Sequence, residues 1–151
     1  MEVINIGDFC IQEYDERNQE HKSVMISLSN QKDFVYIGDL YSLERDYRMA
    51  KEKGEKDSIY IAYLDGVPVG MVGGYSDLAR FYLMYAILPR FRGHYYSSRL
   101  TLEYAKYFFN QYPEIDVVYA SIDEYNEASI KNIKVAGFQH ISGTEYMLKR
   151  C

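Results

Sequence analysis

The sequence predicts a mixed α/β fold of the α+β kind, with about seven strands in one sheet and four helices packed on it. Three observations predict it. Two β-branched and aromatic runs, Ser58 to Leu64 and Val67 to Tyr75, flank Asp65-Gly66, a strong hairpin signal. A further run, Phe81 to Leu88, stops at Pro89 and leads through Gly93 into a long helical pattern. Ile115 to Ile122 is a near-continuous apolar run of the kind that buried parallel strands show.

The remaining elements follow in order. Phe9 to Tyr14 alternates loosely and reads as the first strand. From Glu16 to Lys53 helix formers dominate, with Val24, Met25 and Leu28, then Leu40, Leu43 and Tyr47, near helical spacing. Gly38-Asp39 marks a break and an N-cap between two helices, and Gly54 ends the second. Past Gly93, Leu100, Tyr104 and Phe108 share one helix face, and Pro113 lies beyond its end. Glu127 to Ala136 reads as a helix between a capping Asn126 and Gly137 at the C′ position. Phe138 to Ile141 and Glu145 to Leu148 form a closing hairpin around Ser142-Gly143. The order is β-αα-ββ-β-α-β-α-ββ, which places a ligand site at the carboxyl end of the Phe81–Leu88 strand.

Composition narrows the class. A chain of 151 residues, 48% hydrophobic and 26% charged, suits one globular domain spanning residues 1–151, and no repeat or linker divides it. The 17 tyrosines, beside no tryptophan, supply apolar bulk with hydroxyls that need partners. A net charge of −5 without a dense basic run argues against nucleic-acid binding and fits a cationic acceptor. Cys10 and Cys151 stand at opposite ends, with neither disulfide-scaffold nor metal spacing, so no metal is expected. The start lacks a basic, apolar leader and no run reaches membrane-spanning length, so a cytoplasmic protein without a membrane partner is expected.

Two segments carry chemistry. The first is Ile87-Leu-Pro-Arg-Phe-Arg-Gly-His-Tyr-Tyr-Ser-Ser-Arg-Leu100, a strand-loop-helix junction. Such a junction offers unpaired backbone N–H groups and the positive end of a helix dipole, a ready phosphate site. Arg90 and Arg92 can add charge-assisted bonds there. Taken alone, the same pattern also describes a plain turn with solvated arginines. The second segment runs from Asp123 to Phe138, with Asn126 and Ser129 one helical turn apart at a strand-to-helix junction. By itself that pair is also what an ordinary helix cap looks like.

Together the segments resemble the GNAT superfamily of acetyltransferases, over roughly Ser58 to Lys149. The family's Gln/Arg-x-x-Gly-x-Gly/Ala motif matches Arg90-Phe91-Arg92-Gly93-His94-Tyr95, and its Asn-x-x-Ala/Ser motif matches Asn126-x-x-Ser129, with Gly137-Phe138 at the expected distance. The resemblance implies an N-acetyltransferase that takes acetyl-CoA as co-substrate and transfers acetyl to a primary amine of a small molecule or protein. It implies that the backbone over Arg90, Arg92, Gly93, His94, Tyr95, Tyr96, Ser97 and Ser98 wraps the pyrophosphate of coenzyme A. Main-chain groups at Ala86, Ile87 and Leu88 would pair with the pantetheine arm like an added strand, bordered by Asn126 and Ser129. A homodimer is left open.

The chain departs from the family in places. Tyr95 stands at the second glycine, where a β-carbon is accommodated if φ is negative, and Ser97 keeps room two residues on. The Phe81–Leu88 strand holds no carboxylate to act as base, and the family's tyrosine seven residues after the Asn is Ile133 here. Tyr146, on the last strand, is the candidate general acid, with Tyr85 as a substitute; Asp123 and His140 lie in no motif. A module on the same fold that binds acyl-CoA or a protein without turnover is the alternative.

Overall fold

The computed structural model describes residues 2–31 and 39–150. The strands are β1 (Val3–Ile6), β2 (Phe9–Glu13), β3 (Ser58–Leu64), β4 (Val67–Asp77), β5 (Arg80–Ile87), β6 (Val117–Ser121), β7 (Gln139–Ser142) and β8 (Glu145–Lys149). The helices are α1 (Gln19–Ser29), α2 (Leu40–Glu52), α3 (Tyr96–Gln111) and α4 (Glu127–Val135), with a short 3-10 turn at Pro89–Phe91. All eight strands join one mixed sheet in the order β1-β2-β3-β4-β5-β6-β8-β7.

The sheet has eight strands, not the expected seven, and β1 is the extra one. Gly7-Asp8 turns the chain in two residues, with Ile6 opposite Phe9 and Gly7 at φ 58°. A glycine followed by a short polar residue is a tight-hairpin signal. Of the residues of β1, Ile6 alone is buried, so the strand's alternation is faint in the sequence.

The other turns and caps follow from their residues. Asp65 and Gly66 both have positive φ, 52° and 78°, as the mirror-image turn of a tight hairpin requires. Asp39 caps α2, its side chain accepting from Ser42 N at 2.9 Å; the neighbouring Gly38 lies outside the described residues. Asn126 caps α4 by accepting from Ser129 N at 3.1 Å, and Gly137 follows that helix at φ 100°. The run from Ile115 is a strand only from Val117, because Ile115 N turns back to donate to Tyr112 O.

Two apolar layers hold the sheet. Leu100, Tyr104 and Phe108 of α3 pack with Ile133 of α4 against Phe81, Leu83, Val118 and Tyr146. On the opposite face, Val24, Met25 and Leu28 of α1 and Leu43 of α2 cover Ile59, Ile61 and Met71. Burying a Leu or Phe side chain in this way contributes about 1.5–3 kcal/mol. Strands β5 and β6 run parallel but pair only at Tyr82 and Tyr119. Beyond that pair the sheet is open toward the carboxyl end of β5. No described helix is long and apolar enough to cross a membrane.

Candidate active site

A cavity of about 360 Å³ lies where β5 leaves the sheet. Its floor is Tyr85, Ala86 and Ile87 of β5. One wall is the loop and first turn of α3, through Phe91, Arg92, Gly93, Tyr95, Tyr96 and Ser97. The other is Ala128, Ser129, Lys131 and Asn132 of α4, with Leu28 and Gln31 closing the α1 side. Helix α4 stands there because Ser98, buried to 3% exposure, donates its hydroxyl to Asn132 O at 2.8 Å and Asn132 Oδ1 at 2.9 Å.

The electrostatics favour an anion. Tyr95 provides no side-chain cap to α3, whose first internal bond runs from Arg99 N to Tyr95 O at 3.2 Å. The N–H groups ahead of Arg99 have no partner within the helix, and the helix dipole adds positive potential beside them. Among the described residues lining the cavity, Arg92 and Lys131 are cations and none is a carboxylate. In a chain of net charge −5 this is a local reversal of sign. A pyrophosphate fits such a cradle.

Among the residues named from the sequence, Ala86, Ile87, Arg92, Gly93, Tyr95, Tyr96, Ser97 and Ser129 line the cavity. The others sit around it. Leu88 packs into the α1–α2 layer and its N–H donates to Val69 O at 2.8 Å. Ile87 O accepts from Arg92 Nε at 3.2 Å. The guanidinium of Arg90 lies 4.9 Å from the Phe91 ring centroid, and the His94 ring 5.3 Å from that of Tyr96. Ser98 and Asn126 spend their side chains on α4. Tyr146 is buried, 4% exposed, with its ring 4.9 Å from His140. Asp123 accepts from Tyr125 N at 2.9 Å and His140 Nε2 bonds Gly143 O at 2.9 Å, so both serve their own turns.

The expectation that Tyr95 accommodates its β-carbon at negative φ is corrected. Tyr95 has φ 58° and ψ 22°, the left-handed region that glycine occupies freely. The tyrosine therefore takes up glycine's conformation at a cost of about 1–2 kcal/mol. Tyr85, Lys131 and Asn132 were not among the binding residues named from the sequence. Lys131 and Asn132 follow Ala128 at helical spacing on α4, but which face of α4 meets α3 is decided by packing. The Tyr85 hydroxyl lies 3.4 Å from Ser129 O, and burial pushes its pKa up to about 12.

A family model described as the Acetyltransferase (GNAT) family matches residues 22–138. The chain therefore belongs to the GNAT acetyltransferases, enzymes that take acetyl-CoA as acetyl donor. No curated protein matches the chain in sequence. Solved structures share its fold across nearly their whole length. A GNAT acetyltransferase from Bacillus anthracis is 17% identical, with 97% of this chain and 96% of that one covered and a TM-score of 0.70. Aminoglycoside acetyltransferase AAC(6')-Ib in complex with coenzyme A is also 17% identical, with 94% and 95% covered and a TM-score of 0.74. An acetyl transferase from Salmonella typhimurium that modifies the N-terminal serine of a 50S ribosomal subunit protein is 13% identical, with 99% and 100% covered and a TM-score of 0.73.

Proposed function

We propose that acetyl-CoA binds in the cavity between β5 and α4 and that its acetyl group passes to a primary amine of a small-molecule or protein acceptor. The observation that carries this reading is the uncapped start of α3 beside Arg92 and Lys131, in a cavity lined by no carboxylate among the described residues. The pyrophosphate would rest on the backbone of the Arg90–Ser98 segment, and the pantetheine arm would run along Ala86, Ile87 and Leu88 past Asn126 and Ser129. Arg92 would release Ile87 O to do so. Folds of this kind serve both an aminoglycoside acetyltransferase and a ribosomal-protein acetyltransferase, so either acceptor class is within range.

Acetyl-CoA supplies a thioester: the amine nitrogen bonds to its carbonyl carbon, the C–S bond breaks, and the leaving thiolate takes a proton. With no carboxylate among the described lining residues, the ammonium form of the acceptor would lose its proton to water, and positioning would supply most of the acceleration. Tyr85, on the cavity floor, would give the thiolate its proton; a phenol is protonated at neutral pH, and burial raises its pKa further. Tyr146, on β8 next to β6, is the second candidate.

One sheet running from Val3 to Lys149 supports reading residues 1–151 as a single domain. The free thiol of Cys10 fits a reducing compartment, and we place the reaction in the cytoplasm. Strand β7, exposed along all four residues, offers an edge for a homodimer. The strained Tyr95 and the lack of a carboxylate among the described lining residues favour one second reading, an acyl-CoA-binding module without turnover. A panel of amines incubated with acetyl-CoA, with free thiol as readout, decides between them: thiol release above the acceptor-free rate supports the enzyme, and binding without release supports the module.

A further inference from the structure

A second cavity, of about 240 Å³, lies at the other end of α3. Gly54, at φ 71°, turns the chain out of α2, so that Glu55, Lys56 and Asp57, which line this cavity, lead into β3. Tyr47 of α2, Tyr60 of β3, Tyr104 and Tyr107 of α3, and Tyr112 just beyond it line the cavity too, so its walls are aromatic rather than aliphatic. The chain's own lysines show what such rings attract. The Lys51 ammonium lies 5.5 Å from the Tyr47 ring centroid and the Lys56 ammonium 5.1 Å from that of Tyr112. Lys51 is also paired with Glu13. Among the described residues Glu55 and Asp57 have no ion-pair partner, so the lining keeps an excess of negative charge over Lys56. Burial, and the charge of Glu55 beside it, hold the Asp57 carboxyl above its ordinary range, although Ser76 N donates to it at 3.0 Å. Asp57 is thus a partly buried carboxylate short of a positive partner.

We propose that this second cavity binds a small primary alkylammonium ion, its ammonium held by Glu55 and Asp57 and its alkyl body lying against the rings of Tyr107 and Tyr112. The acetyl-CoA reading of the first cavity is not needed for it. Helix α3 has 16 residues and is about 24 Å long, so a small ligand beside Gln111 and Tyr112 lies far from Tyr96 and Ser97. An amine bound here stands apart from any acyl donor at the start of α3, and the site binds it without turnover. The cavity is smaller than the usual pocket for a drug-sized ligand, which restricts the occupant to a few heavy atoms. Carboxylates accept hydrogen bonds, so a primary ammonium with its N–H donors suits them better than a quaternary one. The rings attract either cation. A neutral alcohol of the same length gains neither interaction.

The test follows the backbone amides of the full chain by NMR while n-butylammonium, n-butanol or tetramethylammonium is added at matched ionic strength. The Ser76 amide, bonded to Asp57, and the Gln111 amide report on this cavity, and the Gly93 amide on the first. n-Butylammonium should shift Ser76 and Gln111 along one saturable curve, and n-butanol should not. Tetramethylammonium should bind roughly tenfold more weakly, as for the loss of a charge-assisted bond. Asp57→Asn keeps an acceptor for Ser76 N and should weaken the n-butylammonium curve roughly tenfold; Glu55→Gln, at an exposed position, should act in the same direction. Lys56→Met takes the resident cation off the Tyr112 ring and should tighten binding roughly threefold. All three variants should bind coenzyme A with the parent's affinity, so failure of this site and failure of the acetyl-CoA reading show separately. Unshifted Ser76 and Gln111 amides in the parent, equal shifts with n-butanol, or a parent-like curve in folded Asp57→Asn and Glu55→Gln would overturn the site. Unchanged or weaker binding in Lys56→Met would overturn the role of the rings. Tetramethylammonium binding as tightly as n-butylammonium would overturn the choice of a primary amine.

Discussion

Ser98 and Asn132 tie the two helices that enclose the cavity. The Ser98 hydroxyl is shared between the Asn132 main-chain and side-chain oxygens, at 2.8 and 2.9 Å. Asn132 is itself braced by donating Nδ2 to Ala128 O at 3.0 Å. This contact sets the distance between the uncapped start of α3 and the wall that α4 supplies.

Ser98→Ala should therefore cost about 1 kcal/mol of stability, as for one hydrogen bond in a partly buried site. Coenzyme A affinity should fall as well, although the hydroxyl itself is directed to α4. Denaturant unfolding and calorimetry on one preparation check both effects. Loss of stability with parent affinity would show that the spacing of α3 and α4 does not matter to the ligand.

Arg92→Ala removes a cation from the cavity wall and frees Ile87 O. Coenzyme A binding should weaken by about 1.5–3 kcal/mol, the range for a charge-assisted bond, and become less sensitive to salt. Titration at low and high ionic strength reads both. Arg90→Ala, whose side chain lies against Phe91 outside the cavity, should change Kd much less.

Two phenols compete as proton source for the leaving thiolate. If Tyr85 fills that role, Tyr85→Phe lowers kcat by on the order of 10²–10⁴ and Tyr146→Phe by less than about threefold. The opposite ranking would give the role to Tyr146. In either case kcat/KM should rise with pH until the acceptor amine is deprotonated.

His21 gives stability a dependence on pH. It is fully buried, with Nδ1 accepting from Asp15 N at 3.1 Å and Nε2 beside Gln12 Oε1 at 3.1 Å, an arrangement suited to neutral imidazole. Burial lowers its pKa in the fold. Protons thus bind the unfolded chain more readily. The stability His21 contributes is complete above the unfolded value of about 6.5 and is lost as pH falls below it, toward the lower folded value. Urea unfolding between pH 8 and 5 should show this decline. His21→Gln should be less stable throughout but flatter across that window.

Much of this site is legible in the chain itself. Asp65-Gly66, Asp39, Asn126 and Gly137 announce their turns and caps through local chemistry, and Arg92, Gly93 and Ser129 through spacing. Strand β1 is hidden because an edge strand with one buried side chain has little alternation to show. Lys131 and Asn132 are hidden for another reason. Their place at the cavity depends on which face of α4 packs against α3, a tertiary choice that helical periodicity leaves open. Tyr95 is a third case, since its residue type argues against the positive φ that the loop imposes on it.

The claim that acetyl-CoA binds at the start of α3 is tested most directly by titrating acetyl-CoA into the parent and into Ser97→Glu. A carboxylate in the first turn favours the helix dipole, so the variant should stay folded with a Tm at or above the parent's. The same carboxylate would face the pyrophosphate and cannot donate to it. We expect saturable one-site binding to the parent, a rise in its stability of about 2.7 kcal/mol at a hundredfold excess over Kd, and no binding to Ser97→Glu. A folded Ser97→Glu that binds acetyl-CoA like the parent would contradict this placement of the site.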